Sequence, residues 1–124
     1  MPTYEGGCHC GTVRFSLTKP DPLTEAVACN CSLCSKKGIL LNRAEETEVT
    51  ITQGEESLTF YQFGSKTASH WFCSACGIHV LSRPRMAPER FALSVRCLDA
   101  YPEMQSTLTV LPFDGQNHPK DQSV

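Results

Sequence analysis

The stretch GGCHCGTVRFSL, residues 6–17, joins two closely spaced cysteines to an alternating run of apolar and polar residues. The alternation in its second half places the apolar side chains on one face of an extended chain, which predicts a half-buried β-strand. Residues i and i+2 of a strand point to the same face. We therefore expect Cys8 and Cys10 to present two thiols to a single ion, with His9 directed away from it.

The same alternation recurs along the chain and favours an all-β fold. Three further segments combine it with turn residues: EVTITQG (48–54), SLTFYQFG (57–64) and FALSVRCLD (91–99). The stretch CNCSLCSKKG (29–38) has room for one helical turn before its glycine. The sequence thus predicts one β-rich domain over residues 1–124, with a core at about residues 6–119 and a polar C-terminal tail.

Eight cysteines in 124 residues are the most unusual feature of the composition. A chain of this length buries roughly two-thirds of its unfolded surface and can fold without covalent cross-links. The N-terminal residues lack the basic and apolar regions of a signal peptide, and no segment approaches the roughly 20 apolar residues of a membrane span. A cytoplasmic location is therefore expected, and in that reducing compartment grouped cysteines indicate metal ligands rather than disulfides.

The charge of the chain argues against a nucleic-acid partner. Its formal net charge is −2, and acidic and basic residues are mixed along the sequence without a basic block. Proteins that bind nucleic acids rely on clustered basic residues to contact phosphates. We therefore expect a small-molecule partner.

Seven of the eight cysteines fall into three groups with the spacing of metal ligands. The groups are Cys8-x-Cys10, Cys29-x-Cys31-x2-Cys34 and Cys73-x2-Cys76-Gly77. The last resembles a zinc knuckle, in which a C-x2-C turn directs backbone amides at the sulfurs and the glycine takes the left-handed position. Zinc takes four ligands in a closed structural site and three in an open catalytic one, so seven cysteines divide naturally into four and three.

Two divisions are compatible with this spacing. In the first, one site is closed by Cys8, Cys10, Cys73 and Cys76, and an open site is formed by Cys29, Cys31 and Cys34. In the second, a zinc ribbon is formed by Cys31, Cys34, Cys73 and Cys76. The first is favoured because three cysteines within six residues surround one ion with little loss of loop-closure entropy. A thioredoxin-type redox role is a further alternative, and the lack of a βαβ pattern disfavours it.

Five motifs, taken together, resemble those of a known family. They are GGCHCGTVRF, CNCSLCSKKG, FCSACGIHV, VRCLDA and FDGQNHP, in this order and at these intervals. The set resembles the glutathione-dependent formaldehyde-activating family, including its centromere-protein-V-like branch. The resemblance extends over nearly the whole chain, from about Gly6 to Pro119.

This resemblance implies a β-tent fold of packed antiparallel sheets, stabilised by zinc, with two Zn²⁺ ions per chain. It implies a structural zinc at Cys8, Cys10, Cys73 and Cys76 and a catalytic zinc at Cys29, Cys31 and Cys34. The implied activity is that of a carbon–sulfur lyase of the S-(hydroxymethyl)glutathione synthase type, which adds glutathione or a similar thiol to formaldehyde or a related small aldehyde. The alternative, from the centromere-protein-V-like branch, is a zinc-stabilised interaction module without catalysis.

Basic residues next to the cysteines are candidate contacts for the two carboxylates of glutathione. Lys36 and Lys37 follow Cys34, and Arg96 precedes Cys97. These three side chains are predicted to bind the thiol substrate.

Three further residues have open roles. Cys97 continues the apolar alternation of its segment and is expected to pack as a small buried side chain, although it is the best cysteine candidate for a fourth ligand at the second zinc. His70 and His79 flank the C-x2-C motif. A structural role is expected for both histidines, with metal binding or acid–base chemistry as the alternative.

Overall fold

Short strands joined by tight turns make up most of the computed structural model, which describes residues 1–116. The strands are β1 (Thr3–Gly7), β2 (Arg14–Thr18), β3 (Glu25–Cys29), β4 (Leu41–Ala44), β5 (Val49–Gln53), β6 (Leu58–Tyr61), β7 (Ser69–Cys73), β8 (His79–Arg83), β9 (Phe91–Ser94) and β10 (Thr109–Phe113). The helical segments are α1 (Ser32–Lys37), α2 (Tyr101–Met104) and three 3-10 turns (Glu46–Glu48, Glu55–Ser57 and Val95–Cys97). The last three residues of the FDGQNHP motif and the predicted polar tail beyond them lie outside the described residues.

A three-stranded antiparallel sheet contains the strand predicted from the opening stretch. Its strand order is β1–β2–β5. Phe15 of β2 lies opposite Gly6 of β1 and Ile51 of β5. The side chains of Val13, Phe15 and Leu17 are all 0% exposed. The alternating pattern of this segment is therefore confirmed, because every apolar residue in it is buried in the core.

A seven-stranded sheet carries Cys29 at the end of β3 and Cys73 at the end of β7. Its strand order is β10–β3–β4–β9–β8–β7–β6. Its neighbouring strands pair antiparallel, apart from β3 and β10, which run parallel with Cys29 opposite Phe113. This parallel pair places the chain after β10 beside the cysteines that follow β3.

Both sheets contribute to one hydrophobic core. Phe15 and Leu17 of the smaller sheet belong to the same buried cluster as Val80 and Leu93 of the larger one. The predicted β-rich class is confirmed, and the two sheets share a core as the β-tent class implies. The single-domain organisation over residues 1–124 stays a prediction.

The first cysteine pair lies in a turn, so the prediction that it lies in a strand is wrong. β1 ends at Gly7, and Cys8 and Cys10 belong to the connection to β2. The Cys8 N–H donates to the Val13 carbonyl oxygen at 3.0 Å, and Gly11 has φ +81°, a left-handed conformation that glycine adopts without strain. The chain therefore reverses direction at the cysteines themselves.

Two other local predictions have different outcomes. The helical turn expected before Gly38 is confirmed, since α1 ends there with Gly38 at φ +64° as its C-cap. The strand predicted over residues 91–99 holds only as far as Ser94. Beyond it the chain forms a 3-10 turn, in which the Leu98 N–H donates to the Val95 carbonyl oxygen at 3.1 Å.

Candidate metal centres

Four cysteines come together where the β1–β2 turn meets the β7–β8 turn. The sulfurs of Cys8, Cys10, Cys73 and Cys76 all lie within 4.8 Å of one another. The Cys8 and Cys10 sulfurs are 3.6 Å apart, and those of Cys10 and Cys73 are 3.7 Å apart. A tetrahedral zinc with Zn–S bonds of about 2.3 Å places its sulfurs about 3.8 Å apart. The donor set and its spacing therefore fit a closed zinc site.

Backbone amides surround the sulfurs of this group. The Val13 N–H donates to the Cys8 sulfur at 3.3 Å. Hydrogen bonds from the backbone of Ile78 and of Cys10 lower the pKa of the Cys76 thiol to about 6. Gly77, at φ +79°, provides the left-handed residue that the knuckle motif requires. These backbone contacts thus stabilise the thiolate of Cys76, which is the form that binds a metal.

Three cysteines form a second group at the end of β3 and the start of α1. The sulfurs of Cys29, Cys31 and Cys34 all lie within 4.8 Å of one another. The Cys31 N–H donates to the Cys29 sulfur at 3.5 Å, and the Cys34 N–H donates to the Cys31 sulfur at 3.3 Å. Cys31 is thereby the N-cap of α1. The two groups of sulfurs therefore match the first of the two divisions expected from the spacing, with four cysteines in one group and three in the other.

The thiols of this second group differ in acidity. A hydrogen bond from the Cys34 thiol and others from the backbone lower the pKa of Cys29 to about 6. The same thiol–thiol bond, together with burial, raises the pKa of Cys34. One thiolate therefore forms readily near neutral pH while its buried neighbour holds its proton. A metal ion that binds all three sulfurs must displace that proton, so its affinity rises with pH.

Gly115 fits closely against this second group. A β-carbon at residue 115 would lie 2.6 Å from the Cys29 sulfur and 2.8 Å from the Cys31 β-carbon. The segment is held there by hydrogen bonds from Asn30 to Asp114 (3.2 Å) and from the Gln116 N–H to the Asn30 side-chain oxygen (2.9 Å). A residue from the end of β10 therefore completes the wall around cysteines more than 80 positions earlier in the sequence.

The three-cysteine group opens onto a cavity of about 460 Å³. This volume lies in the range of small-molecule binding sites. The wall includes all three cysteines of the group, the apolar side chains of Phe63, Met86 and Phe113, and the polar side chains of Arg43, His70 and Arg85. A ligand in the cavity would therefore meet thiols, apolar surface and two guanidinium groups together.

Two buried histidines lie beside this group. Burial, together with the positive charge of Lys37, lowers the pKa of His70 to about 4 and that of His79 to about 3. The His79 Nδ1 is 2.9 Å from the Lys37 ammonium, and the two imidazole rings are 6.2 Å apart. Both rings are therefore neutral at pH 7. Neither belongs to the cysteine groups formed by the described residues.

The basic residues predicted to contact glutathione lie away from the cavity wall. Lys36 is exposed, and Lys37 points to His79. Arg96 is exposed, with its guanidinium 5.5 Å from the centre of the Tyr101 ring. None of the three is among the residues of the described cavity wall, and their contact with the thiol stays a prediction.

The basic side chains on the described wall are Arg43 and Arg85. Arg43 belongs to β4, and Arg85 lies in the loop after β8. Neither residue belongs to a recognisable motif, so no sequence signal identified them. Gly115, by contrast, belongs to the FDGQNHP motif, although the motif does not reveal that the glycine packs against cysteines.

Cys97 lies outside both cysteine groups of the described residues. Its thiol donates to the His79 carbonyl oxygen at 3.3 Å, and burial raises its pKa. The side chain is partly buried against the hydrophobic core, as expected for a small packed residue. This position offers no support for a role as fourth ligand.

The described part of the chain contains no helix that is long and apolar enough to cross a membrane.

Comparison with known proteins adds information on ancestry. Residues 3–111 match the family model described as "Glutathione-dependent formaldehyde-activating enzyme".

Two similar proteins support this match. A Halomonas elongata protein named "Putative glutathione-dependent formaldehyde-activating enzyme" is 32% identical over 80 residues, which span 58% of this chain and 50% of that protein. The crystal structure of a Rhodobacter sphaeroides protein is similar with a TM-score of 0.76 and 34% sequence identity, covering 86% of this chain and 98% of the other. By the match over residues 3–111, this chain belongs to the glutathione-dependent formaldehyde-activating family.

Proposed function

We propose that this protein is a zinc enzyme that adds glutathione, or a similar thiol, to formaldehyde or a related small aldehyde. The observation that carries the proposal is the three-cysteine group, whose sulfurs lie within 4.8 Å of one another beside a cavity of about 460 Å³. Three protein ligands with access for a substrate are the donor set of a catalytic zinc. The reaction class is that of a carbon–sulfur lyase.

The roles of the two cysteine groups follow from their donor sets. Cys29, Cys31 and Cys34 would hold the catalytic Zn²⁺. When bound at such an open site, Zn²⁺ supplies a position at which a substrate sulfur is held as a thiolate, with its pKa lowered from about 8.5. The other four cysteines would hold a structural Zn²⁺ that joins the β1–β2 turn to the β7–β8 turn. We thus propose two zinc ions per chain.

The residues of the cavity wall would bind and orient the substrates. The guanidinium groups of Arg43 and Arg85 are suited to pair with the carboxylates of a glutathione-like thiol. Apolar side chains such as Phe63 and Phe113 exclude water from the place where sulfur and aldehyde meet. The thiol and the aldehyde are the proposed partners, and a cytoplasmic location without nucleic-acid or membrane binding is proposed with them.

The alternative of a non-catalytic interaction module would be favoured by a fourth protein ligand that closes the second group. Among residues 1–116, the group of potential metal ligands contains only the three cysteines. The adjoining cavity also supports a site that admits small molecules. We therefore prefer the enzyme.

The test is the rate of exchange between glutathione and formaldehyde, measured by exchange NMR. Cys31→Ser removes one ligand of the open site, and Cys97→Ser removes a cysteine outside both groups. We expect Cys97→Ser to match the wild type and Cys31→Ser to lose the enhancement over the uncatalysed rate, with zinc in the four-cysteine site retained. Equal rates for Cys31→Ser and the wild type would rule out catalysis of this reaction at the three-cysteine group.

A further inference from the structure

A second cavity adjoins the one beside the three cysteines. Its volume is about 430 Å³. The two cavities share Val27, Leu41 and Arg43 as wall residues, so they meet over this part of the seven-stranded sheet. A ligand that is longer than a single amino acid can therefore enter both cavities while one end of it stays at the cysteines.

Strand β3 runs from one cavity to the other. Cys29, Val27 and Glu25 alternate along this strand, so their side chains point to the same face. Cys29 lines the first cavity, Val27 lines both, and Glu25 lines the second. At about 3.3 Å per residue, the α-carbons of Cys29 and Glu25 are about 13 Å apart. The two ends of this row are thus separated by about the length of a tripeptide.

Arg43 and Glu25 lie at the same end of the paired strands β3 and β4. These strands run antiparallel, with Val27 opposite Leu41. Glu25 lies two residues before Val27, and Arg43 lies two residues after Leu41, so both lie beyond this pair on the side away from Cys29. Arg43 also belongs to the wall of both cavities. Its guanidinium is therefore placed for a ligand that extends from one cavity into the other.

The second cavity carries charges of both signs. Lys19 on its wall is already paired, since its ammonium is 2.9 Å from the Glu48 carboxylate and 3.0 Å from the Arg43 carbonyl oxygen. Arg43 and Glu25 are exposed, and neither forms an ion pair within residues 1–116. The cavity therefore offers one cationic and one anionic group, which are the partners that the carboxylate and the ammonium of an α-amino acid require.

We propose that the second cavity binds the free α-amino-acid group of a γ-glutamyl thiol, with Arg43 paired to its carboxylate and Glu25 to its ammonium; this inference rests on the function proposed above. In a γ-glutamyl thiol the side-chain carboxyl of glutamate forms the peptide bond, so both α charges stay free. The bonds from the cysteine sulfur to the ammonium nitrogen span roughly 9 Å when extended. The side chains of Cys29 and Glu25 cover the remaining distance. The site thus selects γ-glutamyl thiols over simple thiols.

The first test locates the ligand by ¹H–¹⁵N NMR of the zinc-loaded protein. Glutathione should shift the backbone amides of Glu25 and Arg43 as well as those of Ser32 and Gly115 beside the three cysteines. 2-Mercaptoethanol, which has no amino-acid group, should shift only Ser32 and Gly115. If glutathione shifts Ser32 and Gly115 but neither Glu25 nor Arg43, the inference is overturned and the proposed function stands. If glutathione shifts no resonance, both are wrong.

The second test removes the ammonium group and its partner in turn. N-acetylglutathione differs from glutathione only in that this ammonium is capped. In exchange with formaldehyde, we expect the wild type to have a KM for N-acetylglutathione about 5-fold above that for glutathione, as for an ion pair open to solvent. Glu25→Gln, at the exposed first residue of β3, should have the same KM for both thiols, because the partner of the ammonium is absent.

Glu56→Gln is the matched control. Glu56 is exposed in the turn between β5 and β6 and lies on neither described cavity wall, so this variant should keep the wild-type preference for glutathione. A preference that persists in Glu25→Gln would overturn the proposed pairing, and so would equal KM values for the two thiols in the wild type. Exchange itself continues in both of these outcomes, so the proposed function would remain intact.

Discussion

Gly115 lies so close to Cys29 that a β-carbon on the glycine would be 2.6 Å from the cysteine sulfur. Cys29 is the last residue of β3, and Gly115 follows the end of β10, the strand that pairs parallel with β3. Contacts of this length are not found between real side chains. The backbone at residue 115 or the cysteines beside it must therefore move if the glycine is replaced.

Gly115→Ala should selectively weaken the three-cysteine site. We expect zinc content to fall from about two ions per chain to about one, with the thermal unfolding transition close to that of the wild type because the four-cysteine site is untouched. Elemental analysis of dialysed protein measures the zinc. Gln116→Ala is the matched control, since only its exposed side chain changes. Two zinc ions in Gly115→Ala would contradict the packing argument.

Removal of the structural metal should unfold the protein. Zinc binding at a closed thiolate site contributes on the order of 10 kcal/mol, which is comparable with the whole stability of a small domain. We expect the cooperative thermal transition, followed by circular dichroism, to disappear after chelation and to return when zinc is restored. Cys73→Ser should behave like the chelated protein and Cys97→Ser like the wild type. A metal-free sample with an unchanged transition would refute the structural role.

Acid should destabilise the fold through its buried histidines. Their pKa values, about 4 for His70 and about 3 for His79, lie below the value of 6.5 for an unperturbed side chain. The unfolded chain therefore binds protons first, and stability that is fully present above about pH 6.5 is lost as the pH falls towards 4. Each histidine contributes a slope of up to about 1.4 kcal/mol per pH unit.

The histidine contribution can be isolated by difference. Urea unfolding of the wild type and of His70→Phe at several values between pH 7 and pH 5 gives two stability curves. Because both proteins keep the same cysteines, acid loss of metal affects them alike. We expect the His70→Phe curve to be the flatter of the two. Parallel curves would show that the pKa of His70 is the same in the folded and the unfolded protein.

The guanidinium groups of the cavity should distinguish thiols by their charge. Arg43→Met and Arg85→Met remove candidate partners for carboxylates, and a lost charge-assisted hydrogen bond corresponds to about a 10-fold rise in KM or more. We expect this rise for glutathione and none for 2-mercaptoethanol, which has no carboxylate. Arg96→Met is the matched control, because Arg96 lies against Tyr101. A rise for Arg96→Met alone would contradict the role of the cavity arginines and support the prediction that Arg96 contacts the thiol.

The sequence was most informative where its signal was local. The alternation of Val13, Phe15 and Leu17 predicts a buried strand face, and all three side chains are fully buried. The close spacing of Cys29 and Cys34 predicts that their sulfurs meet, because few residues separate them. Such inferences depend on short stretches of backbone, whose geometry is limited by sterics.

The sequence was least informative where distant segments meet. Arg43 and Arg85 line one cavity although 42 positions separate them, and no periodic pattern links them. Cys8 and Cys10 lie in a turn rather than a strand, because the chain reverses at Gly11. Their sulfurs are nevertheless 3.6 Å apart. The prediction that the two thiols lie close enough to share one ion is therefore correct, although the predicted strand is not.

The parallel pairing of β3 and β10 also sets an order of assembly during protein synthesis. The four-cysteine group is complete once residue 76 has left the ribosome, and metal can join its two turns at that stage. The wall of the three-cysteine group needs Gly115, so it closes about 40 residues later. At a synthesis rate of about 5–20 residues per second, the four-cysteine group is therefore complete some seconds before the wall of the three-cysteine group. Cys29, Cys31 and Cys34 are thus made before Cys73 and Cys76 but are enclosed after them.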